Sequence, residues 1–179
     1  MAISVKQAGV AKGMAFAMSV CVVTIFSGVY LDPFGFSLIS DFHGRTQILA
    51  LSIILPTLFM FVSVGRMARF RFFSPDEIDG SGLTKGSSDS LVLQSLLQNT
   101  LEQFVLALAV YAAWCFLMPV STLSAVPLCS LLFAIGRILF FKGYKGGAAS
   151  RAAGFALTFY SSALLFLCLI VHEVWRLVS

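Results

Sequence analysis

Five apolar runs, each bounded by short segments that hold most of the charged residues, set the pattern of this chain. They cover about residues 13–31, 46–64, 91–117, 126–141 and 152–171. A helix needs ~20 apolar residues to cross a bilayer core ~30 Å thick, so each run reads as a membrane-spanning helix. No run alternates with the period of two that marks a half-buried strand. The pattern predicts an all-α integral membrane protein with five transmembrane helices. The third run is unusual: its second half is uniformly apolar, whereas its first half carries Gln94, Gln98, Asn99, Glu102 and Gln103. Ser90 is placed to cap this helix, with Asp89 near its positive end.

The segments between the runs sort by membrane side. Lys6 and Lys12 precede the first run, which is longer than the ~7–15 residues of a signal-peptide core and is not followed by an A-x-A-like cleavage site, so it reads as a retained helix. A turn with Pro33 and Gly35 as breakers follows. The second run contains Pro56, tolerated in a membrane where neighbouring helices satisfy the freed carbonyl. It ends in Arg66, Arg69 and Arg71, alternating with aromatics, and then in a Gly/Ser-rich loop over residues 74–90, flexible by composition. Basic residues number two in the N-terminal segment, four in the second loop and three in the fourth, against Arg45 and Arg176 alone on the other face. The excess predicts a cytoplasmic N-terminus. A bacterial cytoplasmic membrane and an endoplasmic reticulum membrane both fit.

Composition agrees. The chain has 179 residues, of which 59% are hydrophobic and 11% charged, where a soluble domain carries about 25% charged. The formal charge of +4 is spread along the chain and gives no footprint for nucleic acid. Cys21, Cys115, Cys129 and Cys168 all fall in apolar runs, with no CxxC pair and no histidine at ligand spacing, so they read as small buried apolar residues and no metal site is expected.

The candidate chemistry starts from Glu102. An ionisable side chain in a membrane helix faces protein or a water-filled cavity. Glu102 is about twelve residues past the start of its helix and Arg137 about twelve past the start of the next, each ~18 Å along at 1.5 Å per residue. With the two helices taken as antiparallel neighbours, this depth makes Arg137 the expected partner of Glu102. Asn99, three residues before Glu102, shares its face. Tyr144 follows Arg137 by seven residues and Arg151 follows Tyr144 by seven. An acid, an amide, a phenol and two guanidinium groups thus converge on one end of the bundle. Arginines hold carboxylates bidentately and favour a thiolate over a thiol, which suits a site that binds and activates a thiol peptide. The same residues also fit a structural ion pair, interhelical glue and a snorkelling anchor.

At these residues the chain resembles the MAPEG family, membrane-associated proteins in eicosanoid and glutathione metabolism. The resemblance rests on QNTLEQF, which matches an Asn-x-x-Glu helix, and on RILFFKGYKGGAASR, with its Arg-to-Tyr-to-Arg spacing. It spans about residues 46–171. Residues 1–45 then form an added transmembrane helix and loop, and residues 46–179 a MAPEG-like left-handed four-helix bundle. The resemblance implies a homotrimer with sites between adjacent subunits, glutathione bound at the cytoplasmic side, and a lipophilic small molecule that is conjugated to it or reduced with it. It places Asn99, Glu102, Arg137 and Tyr144 among ligand-binding residues and gives Arg151 the catalytic task of stabilising the glutathione thiolate. One of Arg66, Arg69 and Arg71 would contact a glutathione carboxylate.

Three positions depart from the family pattern. Ser95 stands where the family typically has an arginine, Gln103 where a tyrosine often follows the Glu, and Phe140 where active relatives have a hydroxyl or imidazole. Each departure removes a polar contact, and a hydrogen bond to a charged group contributes about 1.5–3 kcal/mol. These losses and the added helix set out a second function: a non-catalytic, lipid-binding or regulatory membrane protein. A transporter is disfavoured, because the sequence has no inverted repeat and one acid within a span.

Overall fold

The computed structural model describes residues 3–38, 41–80 and 83–179. Ile39 and Ser40 of the expected first turn, and Ser81 and Gly82 of the expected Gly/Ser-rich loop, lie outside the described residues. Five helices form the chain: α1 (Val5–Tyr30), α2 (Phe42–Phe72), α3 (Ser88–Leu117), α4 (Ala125–Gly143) and α5 (Ala148–Val178). All five are long and apolar enough to cross a membrane, and no described residue lies in a strand.

The helix ends follow local capping chemistry. The Ser4 hydroxyl and the Gln7 side chain close a reciprocal capping box on α1. The second helix starts at Phe42, behind the Asp41 cap, and continues through Arg66, Arg69 and Arg71 to Phe72. On α3 the cap is Ser87, whose hydroxyl accepts the Ser90 N–H at 3.2 Å. Ser90, expected in that role, lies inside the helix and donates to the Ser87 carbonyl instead. Glu77 closes the α2–α3 loop by accepting the Ser87 N–H. Hydrogen bonds from Ser87 and Ser90, with the Arg71 guanidinium nearby, hold its carboxyl below the usual range.

Helices α2 to α5 form a four-helix bundle in which α3 and α4 each pack on both α2 and α5. The expectation that α3 and α4 are close neighbours is corrected: they lie diagonally across the bundle. A short turn allows adjacency without imposing it, and the small residues of α4 favour α5. A Cβ on Gly154 would lie 2.4 Å from the Phe140 nitrogen and 2.7 Å from the Gly136 oxygen, so α4 and α5 approach backbone to backbone. The added helix α1 lies outside this bundle, along α5 and α4. Gly9 and Gly13 seat it against Ala149, Ala152 and Ala153, and Gly28 against Ala125.

Polar groups secure the crossings. Pro56 cannot donate to the Ser52 carbonyl one turn earlier, and the Ser130 hydroxyl of α4 donates to that carbonyl instead. The expected satisfaction of this proline by a neighbouring helix is thus met by a named residue. Arg45, at the start of α2, donates to the Cys115 and Met118 carbonyls at 2.6 and 3.0 Å and caps the far end of α3. In the α1–α2 turn the Asp32 carboxylate accepts the Ser124 hydroxyl and the Phe36 and Ser37 N–H groups. Desolvation would raise its pKa, but these hydrogen bonds outweigh it and hold the group down at about 2. A depressed pKa keeps this anchor at full strength above about pH 4 and weakens it only as pH falls toward about 2.

Ser130→Ala leaves the Ser52 carbonyl without its donor in a low-dielectric interior. The expected cost is about 1–3 kcal/mol, read as a lowered Tm of detergent-solubilised protein. An unchanged Tm would show that α2 satisfies the carbonyl by other means.

The main apolar core fills the end of the bundle away from the N-terminus, around Tyr111, Trp114, Leu123, Val126, Cys129, Phe133 and Leu165. The other end is where the polar half of α3 lies, and there the helices leave a cleft.

Candidate functional site

The cleft has a volume of about 810 Å³, toward the upper end of the roughly 300–1,000 Å³ of small-molecule sites. One wall is the polar first half of α3, with Gln94, Ser95, Gln98, Asn99 and Glu102. The end of α4 and the following turn supply Phe140 and Tyr144. The floor is α5, from Ala148 and Arg151 down to Phe159 and Tyr160. The opposite wall is α1, through Val10 and Met14. Four of the five residues expected to form a site, Asn99, Glu102, Tyr144 and Arg151, therefore line one cleft within a single chain.

Their arrangement follows from helical register. Gln94, Gln98 and Glu102 lie four residues apart and Asn99 follows Ser95 by four, so all face the same side of α3. Glu102 accepts a hydrogen bond from Gln98 Nε2 at 3.0 Å. Tyr144 opens a short 3-10 turn, Tyr144–Gly146, just after α4 ends. That turn folds the chain back so that the Arg151 guanidinium sits over the Tyr144 ring, 4.4 Å from its centroid. Outside the cleft, Lys145 and Asp89 form an exposed ion pair at 2.9 Å that ties the turn to the start of α3.

Arg137 lies behind the cleft lining and is 0% exposed. Its Nη1 donates to Asn99 Oδ1 at 2.8 Å and its Nη2 to Thr158 Oγ1 at 2.6 Å. The guanidinium also stacks 4.6 Å from the Phe140 ring centroid and 5.8 Å from that of Phe133. The expected Glu102–Arg137 ion pair is not formed; the two ion pairs among the described residues are Lys145–Asp89 and Arg176–Glu173. Counting residues placed Arg137 level with Glu102, whereas it is level with Asn99, nearly one turn away, and reaches α3 across the bundle diagonal. Arg137 is thus a buried cation held by an amide, a hydroxyl and two aromatic faces, with its Nε lacking an acceptor among the described residues.

The three departures from the family pattern occupy different places. Ser95 lines the cleft, and its hydroxyl donates to the Leu91 carbonyl of its own helix. Phe140 lines it as an aromatic lid over Arg137. Gln103 faces the bundle interior, with its Oε1 unpaired among the described residues. Of the arginines at the end of α2, Arg71 approaches the cleft residue Gln94 at 3.5 Å, while Arg66 lies over the Phe141 ring. Cys21, Cys115 and Cys129 are buried as expected, but Cys168 is exposed on the outer face of α5. No cluster of potential metal ligands occurs among the described residues.

Sequence reasoning did not single out Thr158, although it lies seven residues after Arg151 and two turns along the same face of α5. That spacing was the available signal. It also missed Val10, Met14, Phe155 and Phe159, because an apolar residue in a membrane run carries no mark of whether it faces lipid or a cavity.

Neither a curated protein nor a solved structure matches the chain. A family model does match, over residues 46–171, most of the chain, beginning within α2 and ending in α5. The match leaves α1 outside, as the resemblance implied, and covers α3, α4 and the α5 floor of the cleft. With its membrane-spanning helices and this match, the chain belongs to the MAPEG family.

Proposed function

We propose that the cleft binds glutathione and that the protein conjugates it to a lipophilic electrophile. The observation that carries this reading is the convergence of Asn99, Glu102, Tyr144 and Arg151 on one cleft, backed by a buried cation. The amides of Gln94, Gln98 and Asn99 match the peptide groups of a tripeptide, and Glu102 supplies an acceptor for its ammonium. Arg151 faces the thiol. A guanidinium beside a thiol favours the anion, so the thiol proton passes to water and the thiolate remains paired. Its sulfur then forms a bond to the electrophilic carbon as the bond to the leaving group breaks, and the leaving group departs with the electron pair. Arg137 is a positioning residue in this scheme: it fixes the Asn99 amide oxygen, which leaves the Asn99 NH₂ turned toward the ligand. The family's metabolic setting and the excess of basic residues on the cleft's end of the bundle support a cytoplasmic placing for this end. Assembly into a homotrimer stays part of the proposal through family likeness alone.

The test is calorimetry with millimolar glutathione in detergent or nanodiscs. Wild-type protein should bind and develop thiolate absorbance. Arg151→Ala should still bind, weakened by about ten- to a hundredfold since one hydrogen bond to a charged group contributes about 1.5–3 kcal/mol, but lose the thiolate signal. No binding by the wild type would remove the glutathione reading.

A second reading has a specific observation in its favour. The Ser95 hydroxyl is bound to its own helix and Phe140 presents only a ring, so two positions that are polar in active relatives offer the cleft little. A non-catalytic binder of lipophilic molecules would keep the cavity without turnover. Binding of a hydrophobe with no conjugation at saturating glutathione would decide for it.

A further inference from the structure

We infer that α1, which lies outside the family match, forms one wall of a subsite for the apolar, ring-bearing part of a second ligand, reached sideways through a slot between α1 and α3. That this second ligand is the electrophile rests on the glutathione reading; the subsite itself does not.

The cleft divides by polarity. Its charged and amide groups come from α3 and from the Tyr144–Arg151 turn, whereas Val10, Met14, Phe155, Ala156 and Phe159 make up an apolar part between α1 and α5. One tripeptide does not need a cavity of about 810 Å³, and it has no use for this half. Phe155 and Phe159 stack with ring centroids 5.8 Å apart and planes inclined by 17°, and Phe140 continues the series 6.4 Å from Phe155. Such a floor suits a flat ring, since aromatic pairs favour offset or edge contacts at about 4.5–7 Å.

The wall is rigid. Gly9 and Gly13 bring α1 close enough to α5 that an added Cβ at Gly13 would lie 3.0 Å from the Ala153 nitrogen. A helix seated this closely holds Met14 in place and does not swing as a lid. Its packing partners are α5 and α4, while α3 packs on α2 and α5. The two walls therefore flank α5 without closing on each other, and the slot between them faces outward from the bundle side. For a single chain in a bilayer that direction is the lipid, from which a lipophilic ligand would come.

A benzophenone carrying a short alkyl chain tests this by photolabelling and peptide mapping of the full-length protein in nanodiscs. Labels are expected on the peptides that hold Met14 and Phe155–Phe159. They should be displaced by excess non-photoreactive aryl ketone. Met14→Trp, which fills the apolar half, should lower labelling of the α5 peptide by about tenfold or more, the scale of discrimination in an apolar pocket. Met14→Ala should retain it, and glutathione affinity should change less than twofold in both. Labelling spread evenly over outward residues such as Phe61, or unchanged in Met14→Trp, would overturn the subsite. Absence of glutathione binding with Met14-dependent labelling intact would instead overturn the conjugation reading alone.

Discussion

Gly154→Leu is expected to prevent the bundle from folding. The single Cβ of an alanine at this position would already lie 2.4 Å from the Phe140 nitrogen, 2.7 Å from the Gly136 oxygen and 2.8 Å from the Phe140 Cα. All three are backbone atoms, so no rotamer change relieves the contact and α4 must move away from α5. Membrane helices have little hydrophobic drive to associate and depend on this close packing of small residues. Overpacking by one or a few carbons costs about 1–3 kcal/mol where neighbours can yield. Here they cannot, and a loss above about 4 kcal/mol is expected for leucine, against a typical total of about 5–15 kcal/mol. Gly154→Ala should be intermediate. The measurement is the fraction of detergent-soluble, monodisperse protein and its Tm. Gly65→Ala is the control: nothing lies within 4 Å of its Cβ, and alanine there should add about 0.5–1 kcal/mol of helix stability. Equal behaviour of Gly154→Leu and Gly65→Ala would disprove the α4–α5 packing.

Arg137→Met should leave stability unchanged or raise it by about 1–4 kcal/mol, the effect of replacing a buried charge by an apolar residue of similar volume. The substitution strands no partner. Thr158 Oγ1 still donates to the Phe155 carbonyl at 2.8 Å, and Asn99 borders the cleft, where water or ligand can reach it. Glutathione binding should weaken all the same, because Asn99 loses the donor that orients it, at a cost of about 1.5–3 kcal/mol. Glu102→Gln should change stability little, since the carboxylate is exposed and bound to Gln98. The two substitutions should be additive in a double-mutant cycle, within the ~0.3–0.5 kcal/mol of independent sites. Strong coupling, with the double variant recovering what each single one loses, would restore the Glu102–Arg137 pair that the geometry lacks.

The behaviour of Arg137 illustrates why a depth argument reaches only so far. Counting residues from helix ends gives position along the bilayer normal to within about a turn, and it carried Arg137 to the right end of the bundle. It gives no position around the axis. Adjacency of α3 and α4 was inferred from a short connection, but the close fit of Gly136 and Gly154 commits α4 to α5 and leaves α3 across the diagonal. Only in that arrangement does Arg137 meet Asn99 and Thr158. Similarly, Ser87 rather than Ser90 caps α3, since two serines so close in sequence offer equal cap chemistry and the Glu77–Ser87 hydrogen bond favours the first.

By itself the sequence determined the number of helices, their approximate spans, the polar half of α3 and the family, because each depends on local hydropathy or on spacing along one chain. It also put Asn99 and Glu102 on one face of α3, since residues three apart share a helix face whatever the helix packs against, whereas the Tyr144–Gly146 turn, not helical register, brings Arg151 over Tyr144. Tertiary structure alone decided that Glu102 and Arg137 stay apart, that Gln103 turns inward while Gln98 faces the cleft, and that α1 becomes a wall of it. An apolar helix is equally compatible with lipid on every side. What selects its neighbour is the fit of Gly9, Gly13 and Gly28 against the alanines of α5 and α4, a property of two surfaces that no single stretch of sequence contains.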